Sequence, residues 1–296
     1  MKKFLSTMFL VCATGLIWAN KDDESLIVEV TKKYPANDQS VLELDVSFAN
    51  LSVTTAQVNE ITVVMSASGL IEGDKCKQEV VDHFNQATKS ISNGVSVRIN
   101  GVFERCKTRQ SCNVKVYVSV VVPLKASLSG STSFTNVTLG SLQGSAKLDV
   151  DYGNITVDGL WAYDNDLKVE FGNIDAKGTN GGKFEVDYGN VELDKLQGSA
   201  MIDVEFGNVE LGEVIKQCTH LNIKVDYGNV DVTLENAADY SFDVKSAYGN
   251  IDLDERFKTS LSEKDYTEVL KKGTIGGGAG KLFVDVEFGN IDLEVR

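Results

Sequence analysis

The residues able to do acid–base, nucleophilic or metal chemistry in this 296-residue chain are 43 aspartates and glutamates, two histidines and five cysteines. The carboxylates are too many for spacing to single out a catalytic pair, since any two in neighbouring strands could meet the separation a glycosidase needs. His83 and His220 are the only histidines, and with Cys76 and Cys218 they form a candidate zinc set, because seven residues separate Cys76 from His83 and keep both on one helix face. Packing or surface roles are the plainer reading for both imidazoles, and no metal is assigned. The chain has no Gly-x-Ser-x-Gly elbow, phosphate loop or His-Glu-x-x-His motif. Gly276-Gly277-Gly278 precedes a terminal strand instead of opening a helix, which favours a tight chain crossing over a phosphate cradle. No catalytic or cofactor-binding residue is assigned.

Composition narrows the partners. With 29 Lys and Arg the net charge is −14, which argues against binding a phosphate backbone, so nucleic acid is excluded. Lys2 and Lys3 precede an apolar run from Phe4 to Trp18, and Ala19 closes it, the layout of a signal peptide over residues 1–19. Export to the periplasm, the outer cell surface or the medium is expected, and no later stretch is apolar enough for a transmembrane span. Export would favour disulfides among Cys76, Cys106, Cys112 and Cys218. Cys106 and Cys112 flank a short polar loop and are expected to pair, leaving Cys76 with Cys218.

A repeat organises the rest. An aromatic residue followed by Gly-Asn begins at Tyr152, Phe171, Tyr188, Phe206, Tyr227, Tyr248 and Phe288, with Phe48-Ala49-Asn50 and Phe134-Thr135-Asn136 as degenerate copies. Most copies lie 17 to 21 residues apart, but 40 separate Tyr248 from Phe288, as though the segment around Glu255 to Gly280 replaced one. Apolar residues alternate on both sides of each copy, as in Phe184, Val186, Tyr188 and then Val191, Leu193, which means strands. The phase slips by one at each Gly-Asn, so the chain turns a corner there. This predicts an all-β fold: a parallel β-solenoid of about 19-residue coils, with right-handed winding expected, over residues 125–296. Residues 20–124 form a β-rich capping segment with one helix from a candidate N-cap at Asp74 to Asn93-Gly94, its apolar face formed by Cys76, Val80, Phe84, Ala87 and Ile91.

The aromatics share the alternation phase of the Val and Leu positions and are therefore expected inside, stacked coil on coil. The corner row Asn136, Asn154, Asn173, Asn190, Asn208, Asn229, Asn250 and Asn290 is assigned a structural role, capping corner amides. Outward positions beside the corner are mostly acidic. Keeping exposed strands soluble accounts for them, with weak divalent-cation bridging as the second reading. Trp161 and Tyr163 are the best candidates for a sugar-stacking or partner patch.

The repeated Tyr/Phe-Gly-Asn-Ile/Val motif, together with Gly273-Thr274-Ile275-Gly276-Gly277-Gly278, a strand and a last Phe288-Gly289-Asn290, resembles bacterial β-strand-repeat proteins regarded as adhesins and related to adhesin head domains. The resemblance covers Lys125 to Arg296 closely and Leu26 to Pro123 loosely; the helix and the cysteines depart from it. It implies an exported, adhesin-like solenoid with no catalytic residues to carry over. The expected function is a non-enzymatic envelope or surface scaffold, its partner a surface glycan or protein. The alternative is a polysaccharide-degrading β-helix hydrolase or lyase.

Overall fold

A computed structural model describes residues 26–103 and 111–296. The expected leader and Cys106 lie outside the described residues. The chain runs β1 (Leu26–Pro35), β2 (Val41–Ser47), β3 (Ala49–Ala56), β4 (Glu60–Ile71), α1 (Asp74–Gln86), β5 (Thr88–Ile91), β6 (Gly94–Asn100) and β7 (Cys112–Pro123). Strand pairs follow: β8 (Ser127–Ser133) with β9 (Asn136–Leu142), β10 (Ala146–Tyr152) with β11 (Ile155–Leu160), β12 (Asp166–Phe171) with β13 (Ile174–Ala176), and β14 (Gly182–Tyr188) with β15 (Val191–Leu196). Next come β16 (Ala200–Phe206), β17 (Val209–Val214), β18 (His220–Tyr227), β19 (Val230–Leu234), β20 (Tyr240–Ala247) and β21 (Ile251–Leu253). The chain ends with β22 (Lys258–Lys264), β23 (Glu268–Ile275), β24 (Gly280–Phe288) and β25 (Ile291–Val295).

Each coil contributes one strand to each of two facing, mostly parallel sheets. Alternation along a strand sends every second side chain between the sheets, and the parallel register sets like upon like. Val150, Val169, Val186, Val204 and Val225 form one such column, and Ile155, Ile174, Val191, Val209 and Val230 face them from the other sheet. All ten are buried, each worth about 1.5–3 kcal/mol relative to exposure. Both prolines stand where no interior ladder bond is lost: Pro35 ends the edge strand β1, and Pro123 ends β7.

Stacking order departs from chain order at both ends. The coil β2–β3 lies between β6–β7 and β8–β9. The last coil, β24–β25, is inserted between β18–β19 and β20–β21. The long gap before Phe288 is thereby explained: β22 and β23 form an antiparallel extension on the outer edge of β20, after which the chain returns inward.

At the opposite end, β4 and β1 extend one sheet antiparallel and β5 extends the other. Helix α1 lies against β1, β4 and β5, burying Cys76, Val80 and Phe84. The helix is shorter than expected. Gly73, not Asp74, occupies the N-cap with φ 80° and no side-chain cap, while Asp74 sits in the first turn, where a carboxylate complements the helix dipole. Thr88 to Ile91 leave the helix to pair with β6, and Asn93 instead closes that hairpin, its amide nitrogen donating to the Gln39 carbonyl at 2.6 Å.

The expected disulfides require correction. Cys76 is disulfide-bonded, but Cys112 and Cys218 are both free buried thiols, so neither Cys106–Cys112 nor Cys76–Cys218 is formed. Burial pushes the Cys218 thiol up to about 11, so it stays protonated and inert at neutral pH. Among the described residues, no helix is long and apolar enough to cross a membrane.

Candidate functional site: an aromatic ridge between two acidic columns

The aromatic residues do not lie inside. Phe48, Phe134, Tyr152, Phe171, Tyr188, Phe206, Tyr227, Phe288 and Tyr248 keep 36–61% of their surface exposed, on the outer edge where each coil passes from one sheet to the other. Alternation predicts facing only while a strand runs straight. The bend at each corner swings the ring that follows Val186, for example, out of the inter-sheet space.

That bend has a backbone cause. Gly189 takes φ 145°, and a Cβ there would collide with the carbonyl oxygen of Gly172 in the coil below. Phe48 and Phe134 are followed by Ala and Thr, and these rings themselves adopt the left-handed conformation, φ 55° and 52°. At six corners the glycine takes the positive φ, whereas at Tyr248 the aromatic does so itself, with φ 54°, although Gly249 follows it.

The nine rings stack in spatial order from Phe48 to Tyr248, with centroids 4.6–4.9 Å apart and planes within 9° of parallel. The strand spacing thus sets the ring spacing, which lies within the range for attractive aromatic pairs. Each ring covers its neighbours' faces, and what remains exposed along the ridge is a row of ring edges. Beside it runs the asparagine row. The Asn190 backbone N–H donates to Asn173 Oδ1 at 2.8 Å, and Asn208 N–H donates to Asn190 Oδ1 at 2.8 Å. The same bond joins Asn136, Asn154 and Asn173 on one side and Asn208, Asn229, Asn290 and Asn250 on the other. At the Phe48 end, a groove of about 420 Å³ opens between the ridge and Val114, Lys115 and Val116.

Carboxylates line both flanks. On the sheet preceding the corner, Asp151, Glu170, Asp187, Glu205, Asp226 and Glu287 each stand one residue before a ring. On the sheet following it, Asp175, Glu192, Glu210, Asp231, Asp292 and Asp252 are in direct register. Burial, then Asp175, Glu210 and Asp194, raise the Glu192 carboxyl above its ordinary range; burial, then Asp252, Glu294 and Asp231, do the same to Asp292. Lysines pair with other carboxylates of these sheets, as in Lys272–Asp243 at 2.6 Å, farther from the corner, and Lys245–Glu268 at 3.1 Å, where Glu268 stands opposite Ala247. Among the described residues, Asp226 alone of these twelve acids has a cation within 4 Å, Lys224 at 3.4 Å.

The other candidates resolve differently. Cys76 and His83 belong to the α1 end, whereas Cys218 and His220 lie far along the stack at β18, so the four do not converge. Burial lowers the pKa of His83, whose ring meets Phe103 edge-on at 5.0 Å. Trp161 is taken up by packing over Gly159 and Gly178 and by donating Nε1–H to Ser141 Oγ at 2.7 Å; Tyr163 beside it is 75% exposed. The triglycine does cradle an anion, namely the chain's own Asp239. Its Oδ1 accepts the Ala279 N–H at 2.9 Å, and bonds from Ala279, Gly278 and Gly277 hold its carboxyl below the usual range.

The family profile described as Toastrack DUF4097 matches residues 2–294. Among solved structures, a Bacteroides fragilis chain described as an adhesin candidate is 10% identical, covering 90% of this chain and 97% of its own, with a TM-score of 0.49. A Parabacteroides distasonis adhesin candidate is 14% identical, with 90% and 97% covered and a TM-score of 0.46. A second protein of that organism, described as a candidate lipid-binding protein, is 11% identical, with 90% and 96% covered and a TM-score of 0.41. No curated protein matches the chain.

Proposed function

The chain belongs to the Toastrack DUF4097 family, and from that premise we propose that it is an exported, non-enzymatic, adhesin-like scaffold of the cell envelope or surface that binds its partner along the aromatic ridge. The observation that carries this reading is the exposure of nine stacked rings along one edge. A folded chain gains more by burying aromatics than by displaying them, and a contiguous apolar surface rimmed by polar groups is characteristic of an interaction site. The carboxylates favour binding over hydrolysis. They recur in uniform columns, whereas a glycosidase pair needs one acid and one base held in different environments.

Two measurements test the reading. Fractionation of cells expressing the tagged full chain should recover it outside the cytoplasm; purely cytoplasmic recovery would remove the export half. The purified chain should adsorb to isolated cell-envelope material and release no reducing ends or unsaturated products from a panel of polysaccharides. Exchange of Tyr188 and Phe206 for Ser should abolish the adsorption. Turnover of any polysaccharide that is lost on a single carboxylate substitution would overturn the non-enzymatic half.

A further inference from the structure

We infer that the ridge takes a basic polypeptide segment, one rich in lysine or arginine, laid along the row of rings. The inference rests on the binding role proposed above and adds the chemistry of the partner. Its basis is the juxtaposition of an apolar crest with carboxylate columns on both sides, in which, among the described residues, one of the twelve acids forms an ion pair within 4 Å.

The geometry of the stack excludes two common uses of aromatic residues. Sugars and cations are held against ring faces, where the π-electron density lies. Here the faces along the ridge are covered by the next ring at 4.6–4.9 Å, with only the outer faces of the end rings Phe48 and Tyr248 lacking a ring neighbour among the described residues, and the exposed edges carry the positive part of the quadrupole. The rings therefore offer apolar contact, and the attraction for cations comes from the flanks. Lysine and arginine satisfy both, since their aliphatic stems lie on apolar surface while the charged heads reach outward to carboxylates. Glu205 and Asp187 stand on one side of the crest and Glu192 and Glu210 on the other, so basic residues pointing to either side of an extended segment find a carboxylate.

Charge removes the other occupants. A second copy would bring the same acidic ridge on a chain of net charge −14, nucleic acid brings phosphate, and an anionic membrane surface brings the same sign. Because the columns repeat coil after coil, binding should tolerate sliding and depend on the partner's charge density more than on its sequence. The attraction should weaken with salt, screened over a Debye length of about 10 Å at 0.1 M.

The test uses the purified chain and three labelled peptides of alternating sequence, lysine–leucine, serine–leucine and glutamate–leucine, with binding read by fluorescence anisotropy. The lysine–leucine peptide should bind at least about tenfold more tightly than either of the others and lose affinity steeply as salt rises. Asp187→Asn, Glu205→Gln and Asp226→Asn together should weaken it about tenfold and flatten the salt dependence, while leaving the thermal midpoint unchanged or raised. Tyr188→Ser with Phe206→Ser should weaken binding and leave the salt dependence in place. Because that second variant could lose its fold, the acidic triple variant decides the matter alone: unchanged affinity for the lysine peptide in it would overturn the inference. Equal binding of the three peptides, or tighter binding to anionic vesicles than to the lysine peptide, would also overturn it. Envelope adsorption that needs the rings but survives the acidic triple variant would remove the basic partner and leave the scaffold reading standing. Adsorption that needs neither would remove both.

Discussion

At the corner, neighbouring residues carry different loads. Gly189 is required twice, by φ 145° and by the carbonyl of Gly172 beneath it. Gly189→Ala should destabilise by at least about 3 kcal/mol, the sum of backbone strain and displacement of one coil from the next. Asn190→Ala removes the acceptor for Asn208 N–H, but the site is exposed and water can replace the carbonyl, so about 1 kcal/mol is expected. Asp187→Asn relieves like-charge repulsion and should be neutral or slightly stabilising. Urea titration of the three variants should rank them in that order, and an Asn190→Ala loss equal to that of Gly189→Ala would show the amide ladder to be a principal support. The sequence makes the repeat of aromatic, Gly and Asn plain. It does not make the rings' exposure plain, because residue alternation carries no information about a bend. The available signal was chemical: tyrosine at four of the nine positions puts a hydroxyl where a dry core would have to satisfy it.

At the scale of the strand, the acidic column of the following sheet makes stability depend on pH. Glu192 and Asp292 hold their protons more tightly folded than unfolded, so the folded chain gains stability as pH falls from 7 into the ordinary carboxylate range near ~4–5. Asp239, Asp254 and Asp265 are displaced the other way, Asp239 and Asp265 mainly by backbone N–H donors and Asp254 mainly by Arg256. Their contribution is present above the ordinary carboxylate pKa and is lost as pH drops below about 4. The thermal midpoint should therefore peak at mildly acidic pH. Glu192→Gln should raise it by about 1 °C at pH 7 and diminish the acid gain, since Gln removes the charge facing Asp175, Asp194 and Glu210. A midpoint that falls steadily from pH 7 to 5, in both chains alike, would contradict this. Strand positions and burial were legible from alternation in Phe184, Val186, Val191 and Leu193. The end of α1 was not, because Thr88 to Ile91 continue a helical apolar pattern and leave it only when β6 supplies strand partners.

At the scale of the molecule, the chain terminus is not the end of the rod. The outer coil β20–β21 and the inserted coil β24–β25 carry the same Tyr/Phe-Gly-Asn corner as the five coils before them, so this motif does not distinguish an outermost coil from one slotted inside, and the sequence is silent on their stacking order for that reason. The observed order places β24–β25 between two coils, with parallel partners on both sides, while β22, exposed along its whole length, forms the true edge. Two consequences can be measured. Amide exchange should be slow in Leu282, Val284 and Val286 near the C-terminus and fast in β22, which precedes them, the reverse of ordinary fraying at a chain end. Removing residues 276–296 should then do more than delete one coil. It strips β18–β19 of one partner and leaves β20–β21, with the β22–β23 extension, without the strands that join it to the stack. In a solenoid whose stability is a sum over neighbouring coils, that truncation breaks two interfaces, whereas loss of a terminal coil would break one. The truncated chain should lose protection through β20–β23 together with the missing strands. Retained protection in β20 would mean that this coil can dock directly on β18–β19, and that the inserted order is one of two arrangements open to the chain.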